Sequence, residues 1–203
     1  MSKINTIIFD LGGVLVDWNP DYLYTKIFDD PEKMKWFYKN ICTPEWNMEQ
    51  DAGRSLQHGT DLLVKQFPEY AKEISMYYGR WTEMLKGPIH ETVEIFKSLK
   101  ESGKYKLYAL TNWSHETFPI ALEMYEFLHW FDGRVVSGDE KTRKPFPEIY
   151  HTLINRYSIE PTKALYTDDN AYNLLPAQQL GMTTIHFQSP GQFRKELENL
   201  RIL

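Results

Sequence analysis

Five short apolar runs punctuate this chain, at residues 4–10 (INTIIFD), 105–112 (YKLYALTN), 133–138 (GRVVSG), 163–169 (KALYTDD) and 183–187 (TTIHF). Each is rich in Val, Ile, Tyr or Phe and closed by polar residues or glycine, as strands buried on both faces are. Between the later runs lie stretches with helical spacing. Residues 88–103 carry an apolar stripe at Val93, Ile95, Phe96 and Leu99, with Pro88 near the expected start and Gly103 beyond the end. Residues 146–158 and 170–181 read similarly, although Pro176 inside the second predicts an early bend or break and Gly181 a stop. Strands alternating with helices predict an α/β fold, a doubly wound parallel sheet covered on both faces. Residues 18–86 differ, having aromatic and aliphatic stripes at helical spacing and no convincing alternating strand. They predict a helical insert placed directly after the first strand.

Composition narrows the partners. At 203 residues and 42% hydrophobic, the chain can bury one good core. A formal charge of -5 gives no basic field for nucleic acid or an anionic membrane, so local groups must hold any anionic ligand. The single cysteine, Cys42, excludes an internal disulfide framework and a multi-cysteine zinc site. It fits a reducing compartment, with cytoplasm the default. No run approaches membrane-spanning length, because Asp10 interrupts the only early one.

Chemistry concentrates where the runs end. In open parallel sheets, ligands bind outside the carboxyl ends of the strands. Here those ends carry Asp10, then Thr111 and Asn112, then Asp168 and Asp169, while Lys144 follows the third run. Singly, each has a bland reading: an aspartate after an apolar run is often a helix cap, and a lysine-rich loop is usually a solvated one. Their ordered recurrence is more informative. Three carboxylates brought together repel, and burying them unpaired costs several kcal/mol by order of magnitude. A cation must join them, and an oxygen-only donor set that leaves positions for water and phosphate suits Mg²⁺ better than a Ca²⁺ cage. Lys144 adds a fixed positive charge, and Gly12 and Gly13 allow a sharp turn and a close approach to a ligand.

In this order the residues resemble the haloacid dehalogenase superfamily of hydrolases. IIFDLGGVLVD is similar to its first motif, which implies Asp10 as nucleophile. YALTN is similar to the second, implying that Thr111 bonds a phosphate or substrate oxygen, aided by the backbone around Asn112. RKPFPEIY resembles the third, with Lys144 neutralising the nucleophile and the transferred group, and LYTDDNAYN the acidic fourth, with Asp169 on Mg²⁺ and Asp168 in support. The resemblance implies a core of residues 1–17 and 87–203, with residues 18–86 as a small helical cap. It also implies a mechanism in which Asp10 attacks phosphorus and water then hydrolyses an aspartyl phosphate, with Mg²⁺ held by Asp10, the Gly12 carbonyl, Asp169 and a phosphate oxygen. Gly13 belongs to the substrate-binding turn.

One position departs from the pattern. Most phosphatases of this superfamily carry a second aspartate two residues after the nucleophile, as acid and base. Here that residue is Gly12. Three readings stay open: a phosphatase of a small phosphorylated metabolite, such as a sugar phosphate, with another proton relay; a 2-haloacid dehalogenase, whose halide leaves without a proton; or a non-catalytic binding protein on the same fold. Asp17 is a candidate substitute acid, and Trp18 or Trp113 would line a halide pocket in the second reading. The aromatics of the insert read first as its own core.

Overall fold

The computed structural model describes residues 4–203. Strand β1 (Thr6–Phe9) is followed by β2 (Val16–Trp18), then by helices α1 (Asp21–Tyr24), α2 (Pro31–Asn40), α3 (Pro44–Asp51), α4 (Leu56–Gln66) and α5 (Ala71–Gly79), and by β3 (Leu85–Pro88). The rest alternates: α6 (His90–Ser102), β4 (Lys106–Thr111), α7 (Phe118–Met124), β5 (Gly133–Val136), α8 (Ser137–Glu140), α9 (Pro147–Tyr157), β6 (Ala164–Asp168), α10 (Ala171–Gln179), β7 (Thr183–His186) and α11 (Pro190–Asn199).

All five apolar runs contain strands of one sheet, ordered β5-β4-β1-β6-β7. Its pairings are parallel, with Ile7 of β1 level with Leu107 of β4 and Leu165 of β6. Because side chains alternate along a strand, Ile7 and Phe9 enter the layer that holds Phe96 of α6 and Phe193 and Leu197 of α11. Ile8 enters the opposite layer, with Ile149 and Leu153 of α9 and Leu174 and Ala177 of α10. Burial on both faces is why β1 reads as an unbroken apolar run. Chain order reverses across β1, so the switch point, where crossovers diverge and a crevice opens, lies at its carboxyl end between β4 and β6.

Helices α1–α5 form the chain between β2 and β3. Their interior is aromatic: Tyr24 lies 5.2 Å from Phe37 and Trp46 lies 5.0 Å from Tyr77, centroid to centroid. Most of the insert's rings are thus its own core, although Trp36 faces solvent. Beyond the expected elements, β2 and β3 pair as an antiparallel ribbon at the root of this segment. That ribbon crosses both predicted limits, since Trp18 and Leu85 belong to it. Pro88 therefore ends a strand and does not start α6. Helix α10 also continues through Pro176 without a break. The carbonyl that loses its partner there belongs to Tyr172, an exposed residue within reach of water. Gly103 and Gly181 follow their helices with positive φ, as expected. Among the described residues, no helix is long and apolar enough to cross a membrane.

Candidate active site

Asp10 is the first residue past β1, and its N–H still extends the ladder to the Thr167 carbonyl at 2.9 Å. The Leu11 N–H donates to its Oδ1 at 2.7 Å, leaving Oδ2 to meet the Lys144 Nζ at 2.8 Å. Lys144 is 1% exposed, and its ammonium also lies 2.7 Å from Asp168 Oδ2. One buried ammonium therefore bridges two buried carboxylates. Such an arrangement is stable only when the remaining lone pairs are satisfied. At Asp168 they are: Asn170 N–H donates to Oδ1 at 2.8 Å, the Asn173 side-chain amide donates at 3.0 Å, and the Tyr166 hydroxyl donates to Oδ2.

The charges separate the acids by role. Burial works to raise Asp168, but the Lys144 ammonium and these hydrogen bonds hold its carboxyl below the usual range. Asp168 is an ionised anchor for Lys144. Burial, then the charge of Asp168, pushes Asp10 well above the usual range, with Lys144 opposing and Asp169 adding to the rise. Burial and Asp168 likewise raise Asp169, which is exposed at the mouth of the site. Lys144 is disfavoured as a cation by burial, yet Asp10 and Asp168 more than offset this and lift its pKa.

Asp10, Asp168 and Asp169 each present an oxygen within 4.8 Å of the others. Three carboxylates against one ammonium leave two negative charges, and the donors are all hard oxygens. That set fits a small divalent cation. Asp168 has its oxygens engaged already, so Asp10 and Asp169 are the better-placed donors. Gly13 makes their approach possible: φ is +71°, and a Cβ there would lie 2.2 Å from Asp169 Oδ2. Gly12, by contrast, meets nothing within 4 Å of such a Cβ, so the protein does not require glycine there for space.

Thr111 ends β4, beside β1. It is buried, and its Oγ1 has no protein partner. Asn112 follows it, with its side chain turned to the Lys144 backbone. Its side chain accepts from the Lys144 N–H at 2.8 Å and donates to the Lys144 carbonyl at 3.0 Å, bracing that loop, so only its backbone is left for a ligand. Tyr166 and Asn173, which complete the shell of Asp168, were not expected. Tyr166 was legible in principle, since residues two apart on a strand share a face.

Above this end of the sheet lies a cavity of about 470 Å³ including its open mouth. Gly12, Asn112, Trp113 and Ser114 line it from the strand ends, Trp18 from the ribbon, and Asn47, Asp51 and Tyr78 from the helical segment, with Trp81 and Thr117 completing it. Both Trp18 and Trp113 therefore line it. Asp17 does not: its carboxylate accepts the Tyr22 hydroxyl at 2.9 and 3.0 Å, away from the cavity lining.

Comparison with known proteins agrees with this fold. A sequence model of haloacid dehalogenase-like hydrolases matches residues 4–181. A sesquiterpene phosphatase of Aspergillus oryzae is 27% identical over 98% of this chain and 97% of its own length. A pyrophosphatase of Bacillus mycoides is 26% identical over 90% of this chain and 83% of its own. Among solved structures, the magnesium complex of a family enzyme from Bacteroides thetaiotaomicron superposes with a TM-score of 0.71 at 21% identity, covering 93% of this chain and 95% of that one.

Proposed function

Because this chain belongs to the haloacid dehalogenase-like hydrolases and is itself a hydrolase, we propose that it is a Mg²⁺-dependent phosphatase of a small phosphate monoester. The observation that carries this reading is Lys144, buried and bridging Asp10 to Asp168, while Asp169 stands free at the mouth. A nucleophile whose charge is balanced by a fixed ammonium, beside an uncommitted carboxylate, suits transfer of an anionic group. In this reading Asp10 Oδ attacks phosphorus, the bond to the leaving oxygen breaks, and water hydrolyses the resulting aspartyl phosphate. Thr111 Oγ1 donates to a phosphate oxygen, as do backbone N–H groups around Asn112 and Gly13. Lys144 offsets charge on the transferred group and holds Asp10 aimed. Asp10, Asp169 and the Gly12 carbonyl would hold the metal, with Asp168 in support; the ion supplies charge neutralisation at the phosphoryl oxygens. Residues 18–86 act as a cap over the core of residues 1–17 and 87–203, and keep bulk water from the first step.

The substrate class follows from the walls. Trp18, Tyr78, Trp81 and Trp113 form an aromatic lining that suits a hydrocarbon group or the face of a sugar ring. The similarity to a sesquiterpene phosphatase supports the first of these. A dehalogenase reading fares worse, because Asp169 would repel the carboxylate of a 2-haloacid.

The test is a panel of isoprenyl, sugar and p-nitrophenyl phosphates, pyrophosphate and 2-chloropropionate, each with Mg²⁺ and with EDTA. Phosphate release that EDTA abolishes, and that Asp10→Asn lowers beyond detection in a folded protein, is expected. Halide release indifferent to EDTA would overturn the proposal.

A further inference from the structure

With glycine at position 12, the phosphatase proposed above has no side chain there to protonate the leaving oxygen. Among the described residues lining the cavity beside Gly12, one carries a carboxyl group: Asp51, the last residue of α3. We infer that Asp51, borne by the helical insert, is the proton donor to the leaving group and the base for the second step. This rests on the phosphatase reading.

The geometry fixes Asp51 against the strand ends. Its carbonyl accepts the Ser137 hydroxyl, and that oxygen accepts the Trp113 N–H at 2.8 Å, so the insert is pinned to the loop after β4 at this residue. The side chain is oriented from within the insert. Asn47 donates to Oδ2 at 3.0 Å, and the Tyr78 hydroxyl donates in turn to Asn47 Oδ1 at 2.9 Å. From the core, the Ser114 N–H hydrogen-bonds it and the Arg143 guanidinium favours its charge from further off, while α5 presents Tyr77 and Tyr78. No Lys or Arg forms an ion pair with it among the described residues. Burial pushes this half-buried carboxyl up to about 7, with the Ser114 N–H and Arg143 opposing the rise, and there an acid and base works best near neutrality.

The proposed steps balance. As Asp10 bonds to phosphorus, the bond from phosphorus to the leaving oxygen breaks with its electron pair on oxygen, and the Asp51 proton passes to that oxygen to give the alcohol. The Asp51 carboxylate then takes a proton from the water that attacks the aspartyl phosphate. The bond from phosphorus to Asp10 breaks, releasing phosphate and restoring both residues.

The experiment compares kcat/KM for an alkyl phosphate and for p-nitrophenyl phosphate, whose leaving group needs little proton assistance, in wild type and Asp51→Asn. The variant is expected to lose ~10²–10⁴-fold on the alkyl phosphate and at least ~10-fold less on p-nitrophenyl phosphate, the share that depends on proton transfer being smaller there. Adding Gly12→Asp to the Asp51→Asn background, into space the structure leaves open, should recover the alkyl phosphate selectively. A merely structural role would depress both substrates alike, and that result would overturn the inference. An independent check needs no variant: wild-type rates should depend only weakly on leaving-group pKa, and a steep dependence would overturn it too. Wild type inactive on every phosphate would remove the phosphatase reading itself, and this inference with it.

Discussion

Gly12 and Gly13 are neighbours whose missing side chains matter for different reasons. At Gly13 a methyl group would strike the Asp169 carboxylate and sit on a left-handed backbone. Gly13→Ala should therefore cost about 1–2 kcal/mol, the usual penalty for a side chain at positive φ, and raise the Mg²⁺ concentration needed for half-maximal activity. Gly12→Ala should change stability by less than about 0.5 kcal/mol, as open surface sites do. Urea unfolding of the two variants separates them. Asp51 gives a pH test at the same scale. Its carboxyl stands at about 7 in the folded chain, against about 3.9 when unfolded. The folded state thus holds a proton that the unfolded state releases, so this stabilisation is complete below about pH 4 and lost as pH rises through about 7. Asp51→Asn, neutral throughout, should gain on wild type at pH 8 by on the order of 1 kcal/mol, after allowing for partial exposure, and should gain nothing at pH 4. Equal urea midpoints at pH 8 would mean that the carboxyl is well solvated.

Among the elements, what was legible depended on length and on whether a partner was local. The five sheet strands are readable because burial on both faces writes an apolar run into the sequence itself. The ribbon of β2 and β3 was not: strands of three and four residues containing Gly87 and Pro88 leave no alternation to detect. Helix α11 carries a Ser189 cap and Pro190 at its start, so a local signal existed. The acids at the strand ends could be read because each closes an apolar run, whereas Asp51 could not. It lies in a polar stretch, and only the pairing of Ser137 with the end of α3 brings it to the cavity. That joint is testable. Ser137→Ala removes the acceptor of the buried Trp113 N–H and should cost about 1–3 kcal/mol as an unsatisfied donor. It should also lower turnover by loosening Asp51. Unfolding free energy and kcat, measured on the same preparation, check both.

At the scale of the whole molecule, the sheet gathers three carboxyl groups and one ammonium at a single edge, and ionising all three would leave two uncompensated negative charges there. Lys144 neutralises the pair it bridges, Asp10 and Asp168, only in part, since each carboxylate also faces the other and Asp169. A cation that binds the folded arrangement and not the separated residues of the unfolded chain must stabilise the fold by mass action. At a hundredfold excess over its dissociation constant, Mg²⁺ should add about 2.7 kcal/mol, a rise of roughly 5–10 °C in melting temperature for a chain of this size. Asp169→Asn removes a donor that makes no side-chain ion pair in the fold. It should therefore leave the metal-free melting temperature unchanged or slightly raised, because it relieves repulsion, while abolishing most of the Mg²⁺ response. Thermal unfolding with Mg²⁺ and with EDTA, in both proteins, measures this without reference to any substrate. A wild-type melting temperature indifferent to Mg²⁺ would place the cation elsewhere and leave the acidic edge to Lys144 alone.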